Sequence, residues 1–103
     1  MAAARFSRRA EADLLKIGAC TLRTWGPDQT ISYLDALEAC CQRLADNPEL
    51  GRACAEVRPG LQRFEQGRHV VFYRREASGI LVSRILHQRM QPERHIVEDR
   101  GGE

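Results

Sequence analysis

Lysine is almost absent from this chain. Of its 16 basic residues 15 are arginine, and Lys16 stands alone. The formal net charge is only +2, too small to imply nucleic-acid binding by itself. No apolar run approaches the roughly 18 residues that a membrane-spanning helix needs. The start, Met1-Ala2-Ala3-Ala4-Arg5-Phe6, lacks the apolar stretch of about 7–15 residues that marks a secretory signal. The expected compartment is therefore the cytosol, where thiols stay reduced. Cys20, Cys40, Cys41 and Cys54 form no C-x-x-C pair, and no histidine sits at zinc-finger spacing. Neither a disulfide nor a metal is expected, and no cofactor. Internal repeats and low-complexity segments are missing too.

What is present is ordinary globular composition: 103 residues, 43% hydrophobic and 29% charged. That length carries one domain, with a core thin enough to bury roughly two-thirds of the unfolded surface. A membrane protein, two packed domains and a large cofactor enzyme are thereby excluded. The charge is uneven. Residues 1–51 hold six basic and seven acidic groups, net −1; residues 52–103 hold ten and seven, net +3. An acidic or anionic partner should favour the second half. Arginine there offers a planar, permanently charged fork matched to carboxylates and phosphates. A GC-rich codon bias explains the arginine equally well.

Local patterns give the order of elements. Ala3 to Phe6 is a short edge strand. Ser7 is placed as a helix N-cap with Glu11 and Asp13 close behind, where the helix dipole favours acids. Ala10, Leu14, Ile17 and Thr21 recur at helical spacing, so this helix runs to about Thr24. Trp25-Gly26-Pro27 ends it, and Pro27 can open the next helix. Leu34, Leu37, Cys41 and Leu44 form the second stripe, which stops at Asp46-Asn47-Pro48. So short a link folds the two helices back as an antiparallel hairpin. Cys20, Cys40 and Cys41 fall in these apolar stretches and read mostly as small core residues.

Beyond Gly51 the period changes. Leu61 to Gln66 reads as a strand, Gly67-Arg68 as a turn, and His69 to Arg74 as a β-branched and aromatic strand. Glu76-Ala77-Ser78-Gly79 is placed as a four-residue hairpin loop before a strand from Ile80 to His87. Both later strands are apolar on both faces and should be central. Pro92 to Val97 suits a short helical turn, and Glu98 to Glu103 a disordered polar tail. Helices followed by strands indicate an α+β domain: an N-terminal strand and a helical hairpin on a mainly antiparallel sheet of three to four strands. The domain is taken as residues 1–97, with 98–103 as tail.

An ordered set of motifs then carries a resemblance. Ser7, Ala10, Asp13 and Leu14 are followed by Trp25-Gly26, Tyr33 and Leu44-Ala45-Asp46-Asn47-Pro48. Next come Gly51-Arg52, Arg58-Pro59-Gly60-Leu61 and His69-Val70-Val71-Phe72-Tyr73-Arg74, and the set closes with Arg84-Ile85-Leu86-His87-Gln88-Arg89-Met90. Over about residues 5–96 the chain resembles the ParE toxins of the RelE/ParE superfamily, the toxic half of type II toxin–antitoxin operons. Gln91 departs from the family pattern, which usually has Asp there. The resemblance implies a ParD-like ribbon-helix-helix antitoxin as partner, whose acidic arm wraps the toxin in a hetero-oligomer. It implies DNA gyrase as the target, inhibited through protein–protein binding. RelE-branch relatives instead cut mRNA on the ribosome.

RNA cleavage needs a base, an acid and a cation for the phosphate. The candidates are Glu65 as base, His69 or His87 as acid, and Arg84 or Arg89 as clamp. Whether they share a face depends on strand register, since a one-residue slip moves a side chain across the sheet. A binding protein needs only a surface. For the target that surface is His69, Arg74, Arg84, His87, Arg89 and Met90. For the antitoxin it is Tyr33, Arg63, Arg68, Arg74, Arg84 and Arg89, pairing with acids through charge-assisted bonds. An arm can also add a strand to a sheet edge, and a helix can lie along Leu15, Leu22 and Tyr33. Direct DNA binding and membrane contact are not expected.

Each of these residues also has a plainer role. His69 can be a rim residue bonded to backbone, His87 a strand end linked to Arg89, and Glu65 a solvated charge paired with Arg63 or Arg74. Tyr73 reads as core with its hydroxyl at the edge. Leu15 and Leu22 read first as packing for the hairpin on the sheet.

Overall fold

The computed structural model describes residues 2–96. Strand β1 (Ala3–Phe6) leads through Ser7 into helix α1 (Arg8–Trp25), and helix α2 (Pro27–Asp46) follows at once. A 3-10 turn (Pro48–Leu50) and a two-residue strand β2 (Arg52–Ala53) precede strands β3 (Gln62–Gln66), β4 (His69–Glu76) and β5 (Gly79–His87); helix α3 (Pro92–Ile96) is last. The tail expected at 98–103 lies outside the described residues.

Local chemistry sets the helix limits. The Ser7 hydroxyl accepts the Ala10 N–H at 3.1 Å and donates to the Ser83 carbonyl at 2.7 Å, so one side chain caps α1 and ties it to β5. Gly26, at φ +87°, closes α1 by donating its N–H to the Leu22 carbonyl. Pro27 then starts α2 with only that glycine between the helices, which fixes them as an antiparallel hairpin. The second helix stops at Asn47, ahead of Pro48.

The sheet has five strands in the order β1-β5-β4-β3-β2, one or two more than expected. β1 runs parallel to β5, and every other pairing is antiparallel. The unforeseen strand, β2, pairs only Arg52 with Arg63 and Ala53 with Gln62, too short for any alternation to announce it. The β4–β5 loop is also tighter than expected: Glu76 pairs with Gly79, which leaves Ala77-Ser78 as a two-residue turn.

β4 and β5 are buried on both faces, as their sequences suggested. On the helical side Val71, Tyr73, Ile80, Val82 and Ile85 pack against Ala10, Ile17, Leu37, Cys41 and Leu44. On the other side Val70, Phe72 and Leu86 are covered by Cys54, Leu61 and Ile96. A β-bulge at Ser83 makes this possible. Phe72 pairs with Arg84 but Tyr73 with Val82, so the extra residue keeps Ile80, Val82 and Ile85 on one face. Tyr73 is fully buried; its hydroxyl donates to the Pro48 carbonyl at 2.6 Å and accepts the Gly51 N–H at 2.9 Å.

The last buried residue on α1 is Ile17. Beyond it the helix runs clear of the core. Cys20 is therefore exposed, unlike the buried Cys40, Cys41 and Cys54, and the core placement of Cys20 is corrected. Burial, with Cys40 and Glu38 nearby, pushes the Cys41 thiol up to about 12. The packing role for Leu15 and Leu22 fails too, since they are 77% and 50% exposed.

Candidate functional site

A cleft of about 520 Å³ opens where α1 leaves the core. Ile17, Cys20 and Trp25 form one wall, Tyr33 on α2 another, and the β3–β4 turn with His69 and His87 the floor. The turn is a tight pair, Gly67-Arg68, with Gly67 at φ +61° as the first residue of such hairpins requires. A Cβ on Gly67 would strike the Tyr33 ring, so this glycine also lets α2 and the turn meet.

Register places the two imidazoles side by side. His69 pairs with His87 across β4 and β5, and their rings meet edge to face with centroids 5.4 Å apart. Tyr33 holds the first of them. Its hydroxyl accepts the Arg68 backbone N–H at 3.1 Å and lies 2.6 Å from His69 Nδ1 but 3.5 Å from the Gln66 carbonyl. Burial, reinforced by His87 and opposed by Asp13, lowers the His69 pKa to about 4, so the ring is neutral at pH 7. His87 Nδ1 accepts the Arg89 N–H at 3.2 Å. The backbone-bonded rim role expected of His69 thus gives way to a tyrosine bond, while the link from His87 to Arg89 is present.

The other candidates are dispersed. Glu65 pairs with Val70, whose side chain belongs to the face away from the helices, whereas Phe64 packs on the helical side. Glu65 therefore lies across the sheet from His69. It is held by Arg52 at 2.9 Å and Arg63 at 3.2 Å, not by Arg74. The Arg63 guanidinium also covers the Phe72 ring at 5.5 Å. Arg74 is half-buried on that same far face, opposite Leu81. Arg68, Arg89 and Met90 are exposed.

Arg84 is the clearest correction. Its side chain is only 12% exposed and forms a fork with Asp13, at 2.8 Å to Oδ2 and 3.0 Å to Oδ1. It also donates to the His95 carbonyl at 3.1 Å. Pairing of β1 with β5 ends at Val82, and Asp13 Oδ2 accepts the Ile85 N–H just beyond, at 2.9 Å. Asp13 and Arg84 thus close the sheet edge where β1 stops and bind α1, β5 and α3 together. A surface cation for a partner is not what this position supplies.

Trp25 and Asp13 are the residues whose place the sequence reading missed. In the sequence Trp25 serves as a helix stop and as one of the motif residues, not as a cleft wall. It is 58% exposed in the cleft wall, with the Arg68 guanidinium 5.8 Å from its ring centroid. No group of three or more metal-ligating side chains occurs among the described residues.

Comparison with known proteins agrees with this architecture. A solved structure from the chromosomal ParDE toxin–antitoxin system of P. aeruginosa superposes with a TM-score of 0.71 at 20% identity, covering 84% of this chain and 96% of that one. Toxin ParE1 of Mycobacterium tuberculosis (strain CDC 1551 / Oshkosh) is 44% identical over 91 residues, 87% of this chain and 93% of its own length. Toxin ParE1 of Caulobacter vibrioides is 37% identical over 92 residues, 89% and 95% of the two chains. The family model for the ParE toxin of the type II toxin–antitoxin system parDE matches residues 4–92, from the parallel edge strand through Pro92, and the chain belongs to that family.

Proposed function

We propose that this toxin acts by binding DNA gyrase, without chemistry of its own, and that a ParD-like ribbon-helix-helix antitoxin silences it in a hetero-oligomer. One observation carries the non-enzymatic reading: the sheet separates Glu65 from His69, and Asp13 holds Arg84. The base, acid and phosphate clamp of a ribonuclease need a common face. RelE-type mRNA cleavage loses its geometric support on the same ground.

The surface suits contact. Leu15, Leu22, Trp25 and Ile31 leave apolar area exposed on the hairpin, and Arg68, Arg74 and Arg89 add cations. An antitoxin arm with alternating apolar and acidic residues is complementary to both. The named relatives and the ParDE structure support such a partner. Among the described residues no helix is long and apolar enough to cross a membrane. Action on gyrase implies a place in the cytoplasm, and with net charge +2 DNA contact is left to the antitoxin.

The test is gyrase supercoiling with purified toxin, followed by gel analysis for trapped cleaved DNA. Lost supercoiling or accumulated cleavage, reversed by antitoxin, is expected. Untouched gyrase alongside ribosome-dependent mRNA cuts would overturn the proposal.

A further inference from the structure

The cleft at His69 and His87 is polar without being acidic. Among the described residues no Asp or Glu lines it. Arg68 brings a guanidinium to its rim, and Trp25 presents an indole that the fold leaves in water. His87 turns Nδ1 to the Arg89 N–H, so its ring hydrogen is on Nε2, and His69 turns Nδ1 to the Tyr33 hydroxyl. Neither Nε2 has a hydrogen-bond partner among the described residues. That arrangement disfavours a metal bridging the two rings, because His87 would have to surrender its Nε2 hydrogen. It favours an acceptor. A planar ring beside a cation and an N–H donor is complementary to a ligand that joins an aromatic base to an anionic head. The volume, about 520 Å³, lies within the range of small-ligand sites, about 300–1,000 Å³.

We propose that this cleft binds a nucleoside monophosphate, with its base against Trp25 and its phosphate toward Arg68 and the His69–His87 pair. Tyr33 fixes the orientation of the His69 ring at the floor of the cleft. The inference does not depend on gyrase being the target. Ligand binding and partner binding would compete where they share Tyr33 and Arg68.

The chain has a single tryptophan, so Trp25 emission reports directly on the cleft. The full-length protein is titrated with AMP, adenosine and inorganic phosphate. AMP should change the emission saturably, with adenosine and phosphate at least about tenfold weaker, because each lacks half of the recognition. Arg68→Ala and His87→Gln should each weaken AMP by about tenfold, the weight of a charge-assisted hydrogen bond, with circular dichroism unchanged. Arg68 is exposed on a turn, so its variant keeps the test valid if His87→Gln fails to fold. No saturable response to AMP up to about 10 mM overturns the proposal. So does equal binding of AMP and adenosine, or wild-type affinity in the folded variants.

Discussion

At the scale of single residues, Asp13 joins elements that lie far apart in the sequence. Its carboxylate is 8% exposed, forks onto Arg84 and accepts the Ile85 N–H. Asp13→Ala removes the carboxylate fork from a nearly buried guanidinium and takes the acceptor from an edge amide. Breaking one side of a buried pair costs roughly 3–5 kcal/mol, whereas an exposed pair contributes about 0–1 kcal/mol. Urea unfolding should therefore show Asp13→Ala losing several kcal/mol while Glu65→Ala, whose partners Arg52 and Arg63 are more accessible, stays near wild type. Equal losses would refute the edge-closing role. From the sequence Asp13 is an acid near a helix start and one of the motif residues, and neither tells what it touches. Its partner is 71 positions away, and no periodicity reports a contact across that separation. The same blindness made Arg84 look like surface: an arginine in a strand reads as solvated until its carboxylate is known.

At the scale of elements, what is set by neighbouring residues was legible and what is set by pairing was not. Ser7, Gly26-Pro27 and Asn47-Pro48 fix both long helices to within a residue or two, because capping and proline sterics act within a turn. The bulge at Ser83 and the strand β2 come from pairing between distant segments and leave no local mark. The cleft was partly legible. His69, His87, Tyr33 and Arg68 were singled out, but Trp25 was missed because its exposure depends on α1 overrunning the sheet. The parallel strand β1 relies on one glycine. Gly79 sits at φ +145°, and a Cβ there would run into the backbone of Ala3, its partner in the ladder. Gly79→Ala should destabilise by about 1–3 kcal/mol and release β1. Hydrogen exchange checks this through the Ala3 and Ser7 amides, which bond the Ser78 and Val82 carbonyls at 2.8 and 3.0 Å. Gly60, at φ +81° with open space around it, is the control: alanine there meets only the backbone term and leaves β1 protected.

At the scale of the whole molecule, the excess of cations in residues 52–103 is distributed between two tasks. Arg52, Arg63 and Arg84 are engaged by carboxylates within the fold. Arg68 and Arg89 project at the cleft end of the sheet, and Arg74 lies on the face away from the helices. An acidic antitoxin arm reaching all three must therefore pass around the sheet, not along one side of it. Each contact would be made near the surface, where water and salt weaken it, so no single arginine should dominate. Arg68→Glu, Arg74→Glu and Arg89→Glu should each weaken antitoxin binding by about tenfold at low salt, and the loss should shrink as salt is raised. None should move the melting temperature much, because no carboxylate of the described residues forms an ion pair with these three side chains. Arg84→Glu belongs to the other group. It places two carboxylates together at the β5 edge, so binding is lost because the domain unfolds, and salt does not restore it. Titrating antitoxin against the four variants at two salt concentrations, beside a thermal melt of each, separates the groups. If Arg84→Glu melts like wild type while weakening the complex, the division between scaffold and contact arginines is wrong.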